Sequence, residues 1–480
     1  MAWPGGAVAS DDFGHVVASG DFNGDGYDDG VIQSRKTIIV QGQTLPQAGA
    51  INVIYGGPNG LQLNNPPGAK FLTLNNLQIP GQRAAKGDLF GRALAAADFN
   101  HDGYQDLGIG IPQRSPSDLL RQSGALGVLY GSPRGLAAQG AQYFTQDTPG
   151  MQGQGASGGA EFGRALVGVD FNGDGYMDLA IGPRQETLIE GQLTIKQAGA
   201  INVIYGGPSG LQVDAGPGNQ FWTEDTPGLP GGGAKPNDWF GRPLKAGDFN
   251  LDGYADLAIG IFHKAVVNGN QTKNNAGAVM IIYGGPNGLA VDAGPGPQFY
   301  DQDTPGIAGA PATAGSYFAR FEVVGDFNSD GYADLELGQP SDSSGTVKAA
   351  GAATILYGGP NGLTVDGGPG SQWWTEDSPG IVGGPSFTKD WFGHGDACAG
   401  DFNGDGYVDL AVGVLYRDVD GLTDAGAMDV IFGGPNGLSA SGGPGNQYWT
   451  GNSPGIGGIG AQAYSAFGGQ LAQAGDGGSG

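Results

Sequence analysis

One cysteine, Cys398, and four histidines are all that this 480-residue chain offers for disulfides or nitrogen and sulfur ligands. A single thiol excludes an intrachain disulfide framework and leaves the redox compartment open. The histidines (His15, His101, His263 and His394) show no metal spacing, and no G-x-S-x-G elbow for a nucleophilic serine occurs. Cations are scarce too: 21 Lys and Arg face 47 Asp and Glu, a net charge of −26. No basic stripe exists to neutralise phosphates, which argues against nucleic acid as a partner. No run of about 18 apolar residues spans a membrane. Met1-Ala2-Trp3-Pro4 carries neither the charged nor the apolar region of a signal peptide, so secretion implies a removed leader or another route. Helical periodicity is absent throughout.

Glycine and proline abound instead, at 98 and 30 residues, beside a hydrophobic content of 39% that is enough for a core. The glycines recur at fixed places between apolar runs, as in short strands joined by tight turns. The segment Asp21-Phe22-Asn23-Gly24-Asp25-Gly26-Tyr27-Asp28-Asp29 returns at Asp98, Asp170, Asp248, Asp326 and Asp401, at intervals of 77, 72, 78, 78 and 75 residues. In step with it run Ala48-Gly49-Ala50-Ile51-Asn52-Val53-Ile54-Tyr55-Gly56-Gly57-Pro58, with relatives from Gly124, Ala198, Ala276, Ala350 and Ala425, and the Phe-Gly-Arg triplets at Phe90, Phe162 and Phe240. Three motifs in constant phase six times define a repeat.

Each unit reads as four strands: a small-residue strand, the acidic loop, two apolar strands and an aromatic one. That is the content of a propeller blade, with small residues near the axis and bulky ones at the rim. The expected fold is all-β, a six-bladed β-propeller of four antiparallel strands per blade, with seven blades as the alternative and a solenoid as the rival. A single propeller over 10–476 divides into blades near 10–86, 87–159, 160–236, 237–314, 315–388 and 389–463. Residues 464–480 are an extra first-strand copy, from Phe467-Gly468, and a Gly-rich tail. That copy could clasp the ring, pair with another chain, or be the stub of a longer protein.

The loop pattern D-x-N-x-D-G-Y-x-D sets side-chain oxygens at positions 1, 3, 5 and 9 and a backbone carbonyl at 7, an oxygen cage of the kind calcium takes. The expected ligands of six calcium ions are Asp21, Asn23, Asp25, Tyr27 and Asp29; Asp98, Asn100, Asp102, Tyr104 and Asp106; Asp170, Asn172, Asp174, Tyr176 and Asp178; Asp248, Asn250, Asp252, Tyr254 and Asp256; Asp326, Asn328, Asp330, Tyr332 and Asp334; and Asp401, Asn403, Asp405, Tyr407 and Asp409. Glycine at position 6 permits the turn, while the Glu at position 12 of an EF-hand is missing. Six divalent ions would leave a net charge of −14, relieving repulsion among carboxylates.

These residues resemble FG-GAP repeats, the units of the integrin α-subunit N-terminal β-propeller, with a regularity similar to bacterial secreted members. The resemblance spans roughly 10 to 476. It implies calcium between the first and second strands of a blade, on the side away from the usual ligand face, and an extracellular or cell-surface role in adhesion or recognition. Integrin propellers have seven blades with only some calcium loops, whereas here six units are complete and all carry one.

The strand two to three connections, such as 33–47, 112–123 and 263–275, vary most and hold many of the cations, including Arg35, Lys36, Arg114, Arg184, Lys264 and Arg417. Variable loops on a rigid scaffold are where recognition usually lives. After Phe-Gly stand Arg92, Arg164, Arg242 and Arg320, and His15 and His394 in the outer units, a possible axial ring for an anionic group. The plainer account pairs each arginine with an acid of a neighbouring blade, such as Asp225. Trp222, Trp374 and Trp449 could stack on sugars or pack between blades. The missing catalytic motifs point to a non-enzymatic scaffold, and the variable loops together with the resemblance imply a protein or glycan ligand. A self-assembling surface-layer or filament subunit and a propeller polysaccharide hydrolase or lyase are the alternatives.

Overall fold

Six four-stranded antiparallel sheets follow one another along the chain in a computed structural model that describes residues 13–469, except 41, 81, 118, 119, 344, 396, 458 and 459. In the third sheet the strands are Ala165–Val169, Asp178–Gly182, Ile201–Ile204 and Gln220–Trp222, and they pair in chain order. The other five have the same order, and the result is an all-β propeller of six blades. Between the second and third strands of blades one, three and four a two-residue-turn hairpin is added, as at Leu188–Glu190 and Leu193–Ile195. The only helical element among the described residues is a 3₁₀ turn at Leu74–Leu77.

The second and third strands of blade three are buried on both faces, which is why Leu179-Ala180-Ile181 and Val203-Ile204 read as continuous apolar runs rather than an alternation. The first strands pack against one another from blade one to blade six, and alanine and glycine there keep the crowded axis passable. Three contacts recur between consecutive blades. The Phe of each Phe-Gly pair bridges the glycine that opens the preceding blade's third strand, as in Gly124 with Phe162. A Cβ on Gly124 would lie 2.3 Å from the Phe162 nitrogen, so only glycine fits. The tyrosine that ends the third strand crosses to the next blade, where Tyr130 Oη accepts from Leu211 N–H at 3.0 Å and Tyr357 Oη from Leu438 N–H at 3.0 Å. Finally, the second residue of each acidic loop is a phenylalanine sealed by the next blade.

Among the described residues these contacts stop between blade six and blade one. Phe22, Phe99, Phe171, Phe249 and Phe327 are fully buried, but Phe402 of blade six is 50% exposed. Leu61 of blade one is 52% exposed where its five counterparts are buried, and Phe13 is exposed where Phe90 and its relatives are not. Blade six also carries Phe432 where the other five carry the crossing tyrosine. Phe467 nevertheless occupies the seat that a following blade would take, its N–H donating to Ala425 O at 2.9 Å. The remainder of the expected seventh first strand, from 470 onward, lies outside the described residues.

Candidate metal loops and an axial arginine cluster

All six acidic loops adopt one conformation, set by their own carboxylates. In the first, Asp21 accepts the N–H groups of Gly24, Asp25 and Gly26 at 2.7–3.1 Å. Asn23 Oδ1 accepts from Asp25 N–H at 3.0 Å, and Asp25 Oδ1 from Tyr27 N–H at 3.0 Å. These are Asx turns, which fold the chain tightly around the side-chain oxygens. Asn23 Nδ2 lies 3.0 Å from Asp25 Oδ2, a contact repeated in every loop at 2.9–3.0 Å. Glycine at position 6 has positive φ in all six, +84° at Gly26 and +87° at Gly175.

The ninth residue does more than the sequence pattern suggests. Asp178 opens the second strand fully buried, and its Oδ2 accepts from Phe171 N–H at 2.9 Å while Oδ1 accepts from Gly206 N–H at 2.9 Å. It therefore ties the ends of three strands together. Asp29, Asp106, Asp256, Asp334 and Asp409 repeat both bonds. Burial, against those amide bonds, pushes Asp178 up to about 8, and the nearby Asp170 and Asp174 add to the rise. The donors at each turn are all hard oxygens, which fits calcium in kind. Among the described residues, however, no three carboxylates gather as closely as a bound ion would draw them.

On the opposite face, the residue before each Phe-Gly pair is held left-handed without being glycine: Leu89, Glu161, Trp239, Tyr317 and Trp391 have φ of 55–62°. That conformation costs roughly 1–2 kcal/mol apiece. Two of these residues, Trp239 and Tyr317, carry a layered stack across three blades. The Arg184 guanidinium lies 4.4 Å from the Trp239 ring, Trp239 lies 4.1 Å from His263, His263 lies 5.4 Å from Tyr317, and Arg320 lies 5.4 Å from Tyr317. Arg92, Arg164, Arg242 and Arg320 converge beside it. Burial lowers the pKa of both Arg164 and Arg242, with neighbouring guanidiniums as the next cause in each. The acid within the group is Glu161, 3.1 Å from Arg184 Nε and 3.8 Å from Arg164 Nε. Burial, with the Arg320 charge as the lesser cause, lowers His394 to about 3, and its ring stacks on Trp391 at 5.0 Å. His15 stands apart, 3.0 Å from Arg35.

Some expectations need correcting. The arginines do not pair across blades with Asp225, whose Oδ1 accepts from Ala234 N–H at 3.0 Å. Trp222 is 7% exposed and packed in the core of blades three and four, so no sugar reaches it. Lys36, Arg114, Lys264 and Arg417 are buried rather than presented to a ligand. Three of them, with Glu186 and Asp342, occupy one repeated position, in polar nodes that lock successive blades. Lys264 binds Glu224 of blade three and, at 2.9 Å, Asp238. Arg417 likewise holds Glu376 at 3.2 Å and Asp390 at 2.7 Å. Where an acid stands instead, the partner is an amide: Glu186 with Gln146 at 2.6 Å, and Asp342 with Gln302 at 3.0 Å. The alternation of Glu224 and Glu376 with Gln146 and Gln302 was the signal in the sequence for these nodes.

The FG-GAP repeat profile matches residues 90–129, 162–201 and 395–431, in blades two, three and six. The chain carries FG-GAP repeats. Among curated relatives, phosphatidylinositol-glycan-specific phospholipase D of Rattus norvegicus is 32% identical over 181 residues, covering 35% of this chain and 18% of the relative. Integrin alpha-PS5 of Drosophila melanogaster is 31% identical over 172 residues, covering 35% and 15%, and integrin alpha-IIb of Homo sapiens is 29% identical over 177 residues, covering 35% and 14%. The aligned region is thus less than a fifth of each relative's length. Among solved structures, the exotype rhamnogalacturonan lyase YesX aligns over 87% of this chain and 62% of its own at 12% identity, with a TM-score of 0.42.

Proposed function

We propose that this FG-GAP propeller is a calcium-stabilised binding or adhesion scaffold, working outside the cell or at its surface and meeting a protein or glycan ligand with the face opposite the acidic loops. The observation that carries the reading is the sixfold recurrence of one oxygen-only turn. In each, the residues at positions 1, 3, 5 and 9 would hold the ion with the carbonyl at 7, as Asp170, Asn172, Asp174, Tyr176 and Asp178 would in blade three. A bound ion would supply the positive charge that three carboxylates on one nine-residue turn lack. A binding role, rather than a catalytic one, is supported by the buried acids Glu186, Glu224, Asp342 and Glu376, which are engaged inside the blade-to-blade nodes.

Calcium titration of the chelated protein, followed by melting, tests this. Modest sites filled at tenfold excess over Kd add about 1.4 kcal/mol each, so chelation is expected to lower Tm strongly. An unchanged Tm with and without chelator refutes it.

A further inference from the structure

The guanidiniums at the centre of the non-calcium face outnumber their acids. Arg164, Arg184 and Arg242 come from blades three and four, and among the described residues Glu161 is the carboxylate beside them. The Arg242 guanidinium makes no hydrogen bond or ion pair with a described residue, and the buried Arg164 Nε donates to no acceptor within hydrogen-bond reach. An arginine does not relieve such crowding by losing its proton. Burying like charges together is unfavourable unless an opposite charge arrives. The strained residues Glu161, Trp239 and Tyr317 fix the cluster's walls, and ring stacking holds Arg184 and Arg320 at its margins. Preorganised, desolvated guanidinium forks are suited to oxyanions, which they bind through paired N–H···O contacts.

We propose that Arg164, Arg242 and Arg184 form an axial site for a polyanionic ligand bearing two or more oxyanion groups, carboxylate or phosphate. More than one negative charge is required because, among the described residues, Glu161 is the one acid set against Arg164, Arg184 and Arg242. The proposal deepens the reading of this face as the recognition surface, and it does not depend on the ions of the other face.

The test uses the full chain in calcium-containing buffer, with citrate and pyrophosphate as probes, by calorimetry and melting. One saturable site is expected for at least one probe, with a rise in Tm, and the preferred probe identifies carboxylate or phosphate as the group. Arg242→Gln and, separately, Arg184→Gln are expected to weaken binding at least tenfold. Arg242→Gln should also hold or raise the Tm of the anion-free protein, because it removes one of several crowded charges. A purely structural arginine predicts the reverse, a lower Tm. Absence of saturable binding of both probes, or a destabilised Arg242→Gln that binds as the parent does, overturns the proposal. Either result leaves the calcium dependence of Tm to stand or fall by itself.

Discussion

Replacing Tyr205 with phenylalanine removes one oxygen and leaves the ring packing in place. That oxygen donates to Gln220 Oε1 at 2.7 Å and accepts from Leu289 N–H of the next blade at 3.3 Å. Gln220 Oε1 keeps a second donor in Trp222 Nε1 at 3.3 Å, so the loss falls on Leu289, whose residue is 1% exposed. A buried amide left without an acceptor costs about 1–3 kcal/mol. The bond lost is long, which places the expected destabilisation at about 2 kcal/mol. Urea unfolding followed by tryptophan fluorescence at fixed calcium reads this as a lower midpoint at constant slope. The reciprocal change, Phe432→Tyr, supplies a hydroxyl where no following leucine amide stands, and is expected to bring no stabilisation. An unshifted midpoint for Tyr205→Phe, or a clear gain for Phe432→Tyr, would refute the account of how blades are joined.

Two more outcomes follow from the polar nodes. Lys264→Asp should cost about 3–5 kcal/mol by leaving Glu224 and Asp238 buried beside a third acid. Adding Glu224→Gln and Asp238→Ser copies the Asp342, Gln302 and Ser316 node and should recover most of that stability in the same urea assay. Glu186 is raised from 4.5 to about 7 by burial, against its bonds from Gln146 and Ser157. Its favourable contribution is therefore full below pH 4.5 and is lost as pH rises to 7. Glu186→Gln should flatten stability across that window and stabilise the protein at pH 8 by up to about 3 kcal/mol, measured by urea midpoints from pH 4 to 8.

The blades were legible because three motifs kept phase, and each motif has one mechanical job: a bridge to the previous blade, a turn, a doubly buried strand. The acidic loops were legible as oxygen clusters, but not the second task of Asp178 and its relatives. Nothing local tells a chain-tying carboxylate from a metal ligand, since both need an acid at the head of a strand. The arginine after Phe-Gly was visible in four units, whereas Arg184 and Glu161 of the same cluster belong to no repeated motif and reach it only through the fold. The buried cations were misplaced for a related reason. Lys264 and Arg417 sit in loops of the most variable length, and their partners Glu224 and Glu376 lie about 40 residues earlier. Phe432 among five tyrosines was the one local sign that blade six ends differently.

A sheet assembly held by pairwise seams, with the seam contacts absent at one place among the described residues, behaves there as an arc rather than a hoop. Strain introduced at any blade can be shed toward Phe402 and Leu61 instead of travelling full circle. The two flanks of that break should therefore exchange their amide hydrogens first, and the interior blades last. The same freedom lets the arc tighten or relax by small rotations at each seam, and the guanidiniums of blades two to five would move together with it.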